Sequence, residues 1–164
     1  MKLYHGSNQI VRQPNLLKGR KFLDFGSGFY LSDEKNQAEN RAKSTVLFFE
    51  EGTPTVNVFE WKNDTVADLN ILHFPTADIE WLDFVIANRQ GNMLEKQHDI
   101  VIGPTADDKV ILVVEQYLAG VFNQLENPKT TVIQLFQPEK LATQYLFATE
   151  KSLRYIHFTD SYTL

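Results

Sequence analysis

The chain has 164 residues, 43% hydrophobic and 23% charged, which predicts a single globular domain over 1–164 rather than a disordered chain. No apolar run approaches the about 20 residues of a membrane helix, and the start, Met1-Lys2-Leu3-Tyr4-His5, leads into no signal-peptide core, so a cytoplasmic protein without a membrane partner is expected. A net charge of −5 argues against broad nucleic-acid affinity, and the absence of cysteine excludes disulfides, thiolate catalysis and Cys-zinc sites.

In chain order, residues 2–5 read as a strand that runs into Gly6-Ser7. The basic run Lys18-Gly19-Arg20-Lys21 follows, and its spacing predicts an exposed loop. A second strand over 28–31 follows the turn Gly26-Ser27-Gly28. Ser32 is placed to cap a helix reaching about residue 43, with Asp33 and Glu34 in its first turn and Ala38 and Ala42 spaced for close packing. Residues 56–61 alternate apolar and polar, the period of a half-buried strand. A helix is predicted over 78–88, with Trp81, Phe84, Val85 and Asn88 on one face. Ile100-Val101-Ile102 reads as a short strand ended by Gly103-Pro104. Residues 107–125 carry apolar positions at 3.6-residue spacing and predict a long helix, although the β-branched run 110–114 weakens its start. Residues 131–136 and 144–148 read as strands on either side of a turn at 138–141, followed by a short helix over 150–155 and a last strand. The irregular alternation of strands and helices predicts an α+β fold.

Several chemistries lack their residues. Gly26-Ser27-Gly28 has Leu31 where a dinucleotide fingerprint needs a third glycine. There is no P-loop and no Gly-x-Ser-x-Gly elbow. The four histidines, His5, His73, His98 and His157, show no ligand spacing, so no metal is expected. Two segments remain, each with a polar ring beside glycine. His5 offers a hydrogen-bonding imidazole next to Gly6, where backbone can approach a ligand. Tyr30 offers an aromatic face after two glycines. Together they can hold a sugar and a flat heterocycle. Arg20 lies between them in sequence and suits a phosphate.

The segments Leu3-Tyr4-His5-Gly6-Ser7 and Gly26-Ser27-Gly28-Phe29-Tyr30-Leu31-Ser32 resemble the His-Gly-Ser and Gly-x-Gly-hydrophobic-Tyr segments of ADP-ribosyltransferases of the diphtheria-toxin and poly(ADP-ribose) polymerase type. With Gly19-Arg20, Leu23-Asp24-Phe25-Gly26, Glu80-Trp81-Leu82-Asp83-Phe84, Ala87-Asn88-Arg89, Asp99-Ile100-Val101-Ile102-Gly103-Pro104 and Thr149-Glu150-Lys151, the chain also looks like an uncharacterised bacterial family grouped with those folds. The resemblance implies a split β-sandwich of two small antiparallel sheets with flanking helices, gripping NAD as co-substrate and needing no metal. It implies catalytic roles for His5, Tyr30 and Glu150, the last being the carboxylate that ends the late strand. It implies NAD contacts from His5, Gly6, Ser7, Arg20, Gly28 and Tyr30.

The implied chemistry accounts for the residue types. Cleaving the nicotinamide–ribose bond passes through an oxocarbenium-like sugar, which a carboxylate stabilises. The cationic nicotinamide stacks on an aromatic face. One departure bears on the acceptor: many protein-modifying members carry Gln or Glu two positions before the catalytic Glu, where this chain has Ala148. The acceptor is therefore open between protein, nucleic acid, small molecule and water. The expected activity is that of an ADP-ribosyltransferase or NAD glycohydrolase, with a toxin role and an antitoxin partner by analogy. The alternatives are a catalytically silent NAD or ADP-ribose module and an RNA 2′-phosphotransferase of the same superfamily.

Overall fold

The computed structural model describes residues 1–18, 23–62, 68–136 and 141–164. Among these, seven strands and five α-helices form. The strands are β1 (Lys2–Ser7), β2 (Phe29–Ser32), β3 (Thr55–Trp61), β4 (Ile71–His73), β5 (Ile100–Pro104), β6 (Thr143–Phe147) and β7 (Ile156–Thr163). The helices are α1 (Lys35–Phe49), α2 (Ile79–Arg89), α3 (Asp108–Leu118), α4 (Pro128–Phe136) and the one-turn α5 (Glu150–Leu153). The expected α+β class is what forms. No helix among the described residues is long and apolar enough to cross a membrane.

The expected pair of separate antiparallel sheets does not form. The strands make one seven-stranded sheet in the order β4-β5-β6-β2-β1-β3-β7, mixed because β4 runs parallel to β5. Its two halves are joined by β1 and β2, whose register has a single partner pair, Tyr4 with Ser32. By contrast β1 pairs with β3 from Lys2 to Ser7, and β2 pairs with β6 along its whole length.

That narrow join lets the sheet fold over on itself. The Trp61 ring on β3 lies 5.7 Å from the rings of both Tyr145 and Phe147 on β6, three strands away in sheet order. In a flat sheet those strands would be about 14 Å apart. The rings meet because the halves face each other across a shared core of Leu3, Phe29, Leu31, Phe59, Trp61, Ile100, Tyr145, Phe147 and Ile156. The outer face of the β1-β3-β7 half packs on α1 through Ala38, Ala42 and Val56. The other outer face is covered by α2, α3 and α4 around Trp81, Leu82, Val85, Val110 and Leu146.

The elements differ from expectation where local signals compete. Residues 131–136 belong to helix α4, not to a strand. Pro128 occupies the first helical position, where its missing N–H costs nothing, and Val132 and Phe136, four apart, bury one stripe. Ser32 does not cap α1; its hydroxyl accepts from Glu34 N at 3.1 Å within a turn before the helix. The 107–125 helix stops at Leu118, and Val121 and Leu125 beyond it are exposed. The expected α2 forms with Asp78 capping Trp81 N at 2.9 Å. Strand β4 had no clear sequence signal. Of the predicted basic loop, 19–21 lie outside the described residues, as do 138–140 of the predicted turn.

Candidate functional site

His5 lies where β1 and β2 part. Its Nδ1 meets the carbonyl of Tyr30 at 2.8 Å, and its ring lies 4.3 Å from that of Phe29. A carbonyl oxygen can only accept, so Nδ1 carries the proton and Nε2 keeps its lone pair. Burial lowers the His5 pKa to about 4; the bond to Tyr30 opposes that shift and the charge of Arg41 adds to it. The imidazole is therefore neutral near pH 7 and presents an acceptor.

Tyr30 is committed differently. Its hydroxyl donates to Gly26 O at 2.7 Å and accepts from Phe25 N at 3.1 Å, and its ring packs against the core under α2 and α3. Burial, then the charge of Asp24 and that of Glu95, push its pKa well above the ordinary tyrosine value, so it stays protonated and serves as no base. The His5 ring on β1 is tied to the Tyr30 carbonyl on β2, but the two rings lie on opposite sides of the sheet, so they do not form the shared surface for a sugar and a flat heterocycle that the sequence predicts. The His5 ring covers Phe29, which belongs to the core between the half-sheets.

The turn between them in space is braced from beneath. Gly26 has φ 92°, a conformation open mainly to glycine, and a Cβ there would lie 2.2 Å from the carboxylate of Glu95. Glu95 Oε1 accepts from Ser27 N at 3.2 Å. Just before the turn, buried Asp24 forms an ion pair with the partly buried Arg89 at the end of α2, with Arg89 Nε at 2.8 Å and the terminal nitrogen at 2.6 Å. Burial raises the Asp24 pKa, an effect opposed first by the Arg89 charge and then by hydrogen bonds from Arg89 and Gln144. Gln144 on β6 stands opposite Ser32 on β2, so Tyr30, Ser32, Gln144 and Leu146 share one face of this ladder. The guanidinium of Arg41, on the exposed side of α1, acts on His5, Asp24 and Tyr30 alike.

The remaining predicted residues take separate places. Gly6 is a packing glycine: a Cβ there would stand 2.0 Å from the Ala38 carbonyl and 2.7 Å from Ala42 N, so it is what lets α1 lie on β1. The Ser7 hydroxyl bonds Asn8 Oδ1 at 3.5 Å. Gly28 is buried where a Cβ would strike Leu146 and the Phe147 carbonyl, holding the turn close to β6. Glu150 is exposed in the first turn of α5, after the cap Thr149, and is not among the groups that bond or act electrostatically on His5 and Tyr30. Arg20 lies outside the described residues.

Sequence reasoning did not single out Glu95, Arg41 or the Asp24–Arg89 pair. Asp24 and Arg89 stood in two of the segments carrying the family resemblance, yet their 65-residue separation hides the pairing that the fold makes.

The chain belongs to DUF3990, a protein family of unknown function whose model matches residues 1–158. A search of curated proteins returned no match.

Proposed function

We propose that this DUF3990 member binds NAD where β1 and β2 part and cleaves the nicotinamide–ribose bond, as an ADP-ribosyltransferase or NAD glycohydrolase. The observation that carries this reading is the state of His5. A neutral imidazole whose Nδ1–H is fixed by Tyr30 O offers Nε2 as an acceptor for a sugar hydroxyl. The neighbouring positive charge of Arg41 suits a diphosphate. The sequence resemblance to ADP-ribosyltransferases supplies the reaction, and the folded-over sheet supports the finer reading of a split-sandwich relative.

Charge on the developing oxocarbenium-like ribose needs a carboxylate. Asp24 is neutralised by Arg89 and Glu95 is enclosed under the turn. Glu150, exposed after β6, is the proposed carboxylate. The binding-only reading is favoured by one observation: Glu150 is exposed in α5, and no hydrogen bond or ion pair among the described residues joins it to His5 or Tyr30.

Incubation with NAD labelled on its adenylate side separates these readings, with mass spectrometry following free nicotinamide and any ADP-ribosylated acceptor. Nicotinamide release that is lost in His5→Ala is expected. Binding without release leaves the silent module, and neither binding nor release overturns the proposal.

A further inference from the structure

Glu95 is 3% exposed, although it sits in a one-turn 3-10 helix, Leu94–Gln97, beside exposed Lys96 and Gln97. A carboxylate directed inward from such a turn loses its hydration, and proteins keep such groups where something is gained from them. Its place is fixed from α2, where Asn88 Oδ1 accepts from Leu94 N at 2.8 Å. From there Oε1 accepts from Ser27 N at 3.2 Å, and Oε2 fills the space that any side chain at Gly26 would need. Oε2 itself has no hydrogen-bond partner among the described residues. On its other side Gly26 accepts the Tyr30 hydroxyl at 2.7 Å.

These contacts form one continuous path: α2, Asn88, the 93–97 turn, Glu95, the Gly26-Ser27 backbone, Tyr30, and then His5 through the Tyr30 carbonyl. We propose that Glu95 is a positioning residue, a buried carboxylate strut that holds the Gly26–Gly28 turn against Tyr30 and thereby sets the strand carbonyl that orients His5. Glycine at position 26 and a carboxylate at position 95 are then one device, because the acid occupies the volume the glycine leaves. The consequence for NAD rests on the function proposed above; the consequence for the turn does not.

Two variants separate the parts of this role. Glu95→Gln keeps an acceptor for Ser27 N–H and nearly the same shape. Glu95→Met keeps the length and removes the acceptor. Amide hydrogen exchange at Ser27 and the NMR ring signals of Tyr30 report the turn, and calorimetric titration with NAD reports the site. In Glu95→Met, Ser27 is expected to exchange about tenfold faster than in the unaltered protein, as a local opening no longer restrained. The Tyr30 ring signals should shift, and NAD should bind several-fold more weakly. Glu95→Gln should restore all three. Unchanged Ser27 exchange in Glu95→Met overturns the proposal, as does a Glu95→Gln variant as defective as Glu95→Met. Should Glu95→Met fail to fold, Glu95→Gln decides alone: its Tyr30 ring signals and Ser27 protection must stay close to those of the unaltered protein. Should the unaltered protein not bind NAD, the NAD reading falls while the exchange and ring measurements still decide the strut.

Discussion

A histidine in water titrates near pH 6.5, and in this fold His5 titrates at about 4 because burial disfavours its charged form. Between those values the unfolded chain binds a proton that the folded chain refuses. Stability from this group is therefore present above pH 6.5 and is lost as the pH falls toward 4. The loss is at most about 3 kcal/mol, reduced by whatever water reaches the partly exposed ring. Asp24 runs the other way: its raised folded pKa makes stability fall as pH rises above its ordinary value. The difference between the unaltered protein and His5→Gln in urea titrations from pH 4 to 7 isolates the histidine, and a difference that does not change with pH would rule this account out. Tyr30 yields a second expectation. Its ring was legible in the sequence as a stacking surface, whereas its hydroxyl ties down Gly26 O and Phe25 N. Tyr30→Phe should thus cost about 1–3 kcal/mol of stability, read from the urea midpoint. A neutral substitution would show the turn held by other means.

At the scale of elements, what the sequence made legible was periodicity, and what it hid was partnership. The alternation over 56–61 and the capped stripe after Asp78 gave β3 and α2 within a residue or two, but β3 is not the half-buried strand that alternation predicts: all its residues except Glu60 are buried, because α1 and the inner core cover both of its faces. The apolar run Thr131-Val132-Ile133-Gln134-Leu135-Phe136 reads equally as strand or helix; α4 wins through Pro128 and contact with α2 and α3. Gly6 was read as a glycine for ligand approach, and only the crossing of α1 over β1 reveals its packing role. Gly6→Ala should cost about 2–3 kcal/mol, since the added methyl meets helix backbone rather than a movable side chain. A stability unchanged on chemical denaturation would mean that α1 shifts freely. The Asp24–Arg89 pair links α2 to the segment before β2. Arg89→Met should cost about 1–3 kcal/mol by leaving the buried Asp24 carboxylate with Gln144 alone as its partner. Adding Asp24→Asn should recover much of it, and a double mutant no better than the single one would show that the pair matters for shape alone.

Across the whole molecule, the join between the half-sheets was the feature least available to sequence reading. Each strand's faces can be read locally, but a bend set by a single β1–β2 register pair depends on side chains some 85 residues apart, Trp61 against Tyr145 and Phe147. Where the expected two sheets would have been separable layers, the one folded sheet makes the inner core common property of both halves. The place proposed for NAD then keeps its shape only while that core is intact. The two tryptophans test this directly. Trp61 reports the core between the halves and Trp81 the core beneath α2, where its Nε1 donates to Pro104 O at 3.0 Å. Trp61→Phe leaves Trp81 as the single indole and should cost little through its N–H, which has no partner among the described residues. Trp81→Phe leaves Trp61 and should cost about 0.5–1.5 kcal/mol more, because the Pro104 carbonyl loses its closer donor and keeps only Gln144 Nε2 at 3.5 Å. In each variant the remaining tryptophan's fluorescence should follow the same urea transition as the far-UV circular dichroism, as expected of one cooperative unit. A Trp61 signal that melts before the helices do would separate the inner core from the rest. The halves would then be distinct folding units, and the space between β1 and β2 would open well before the protein unfolds.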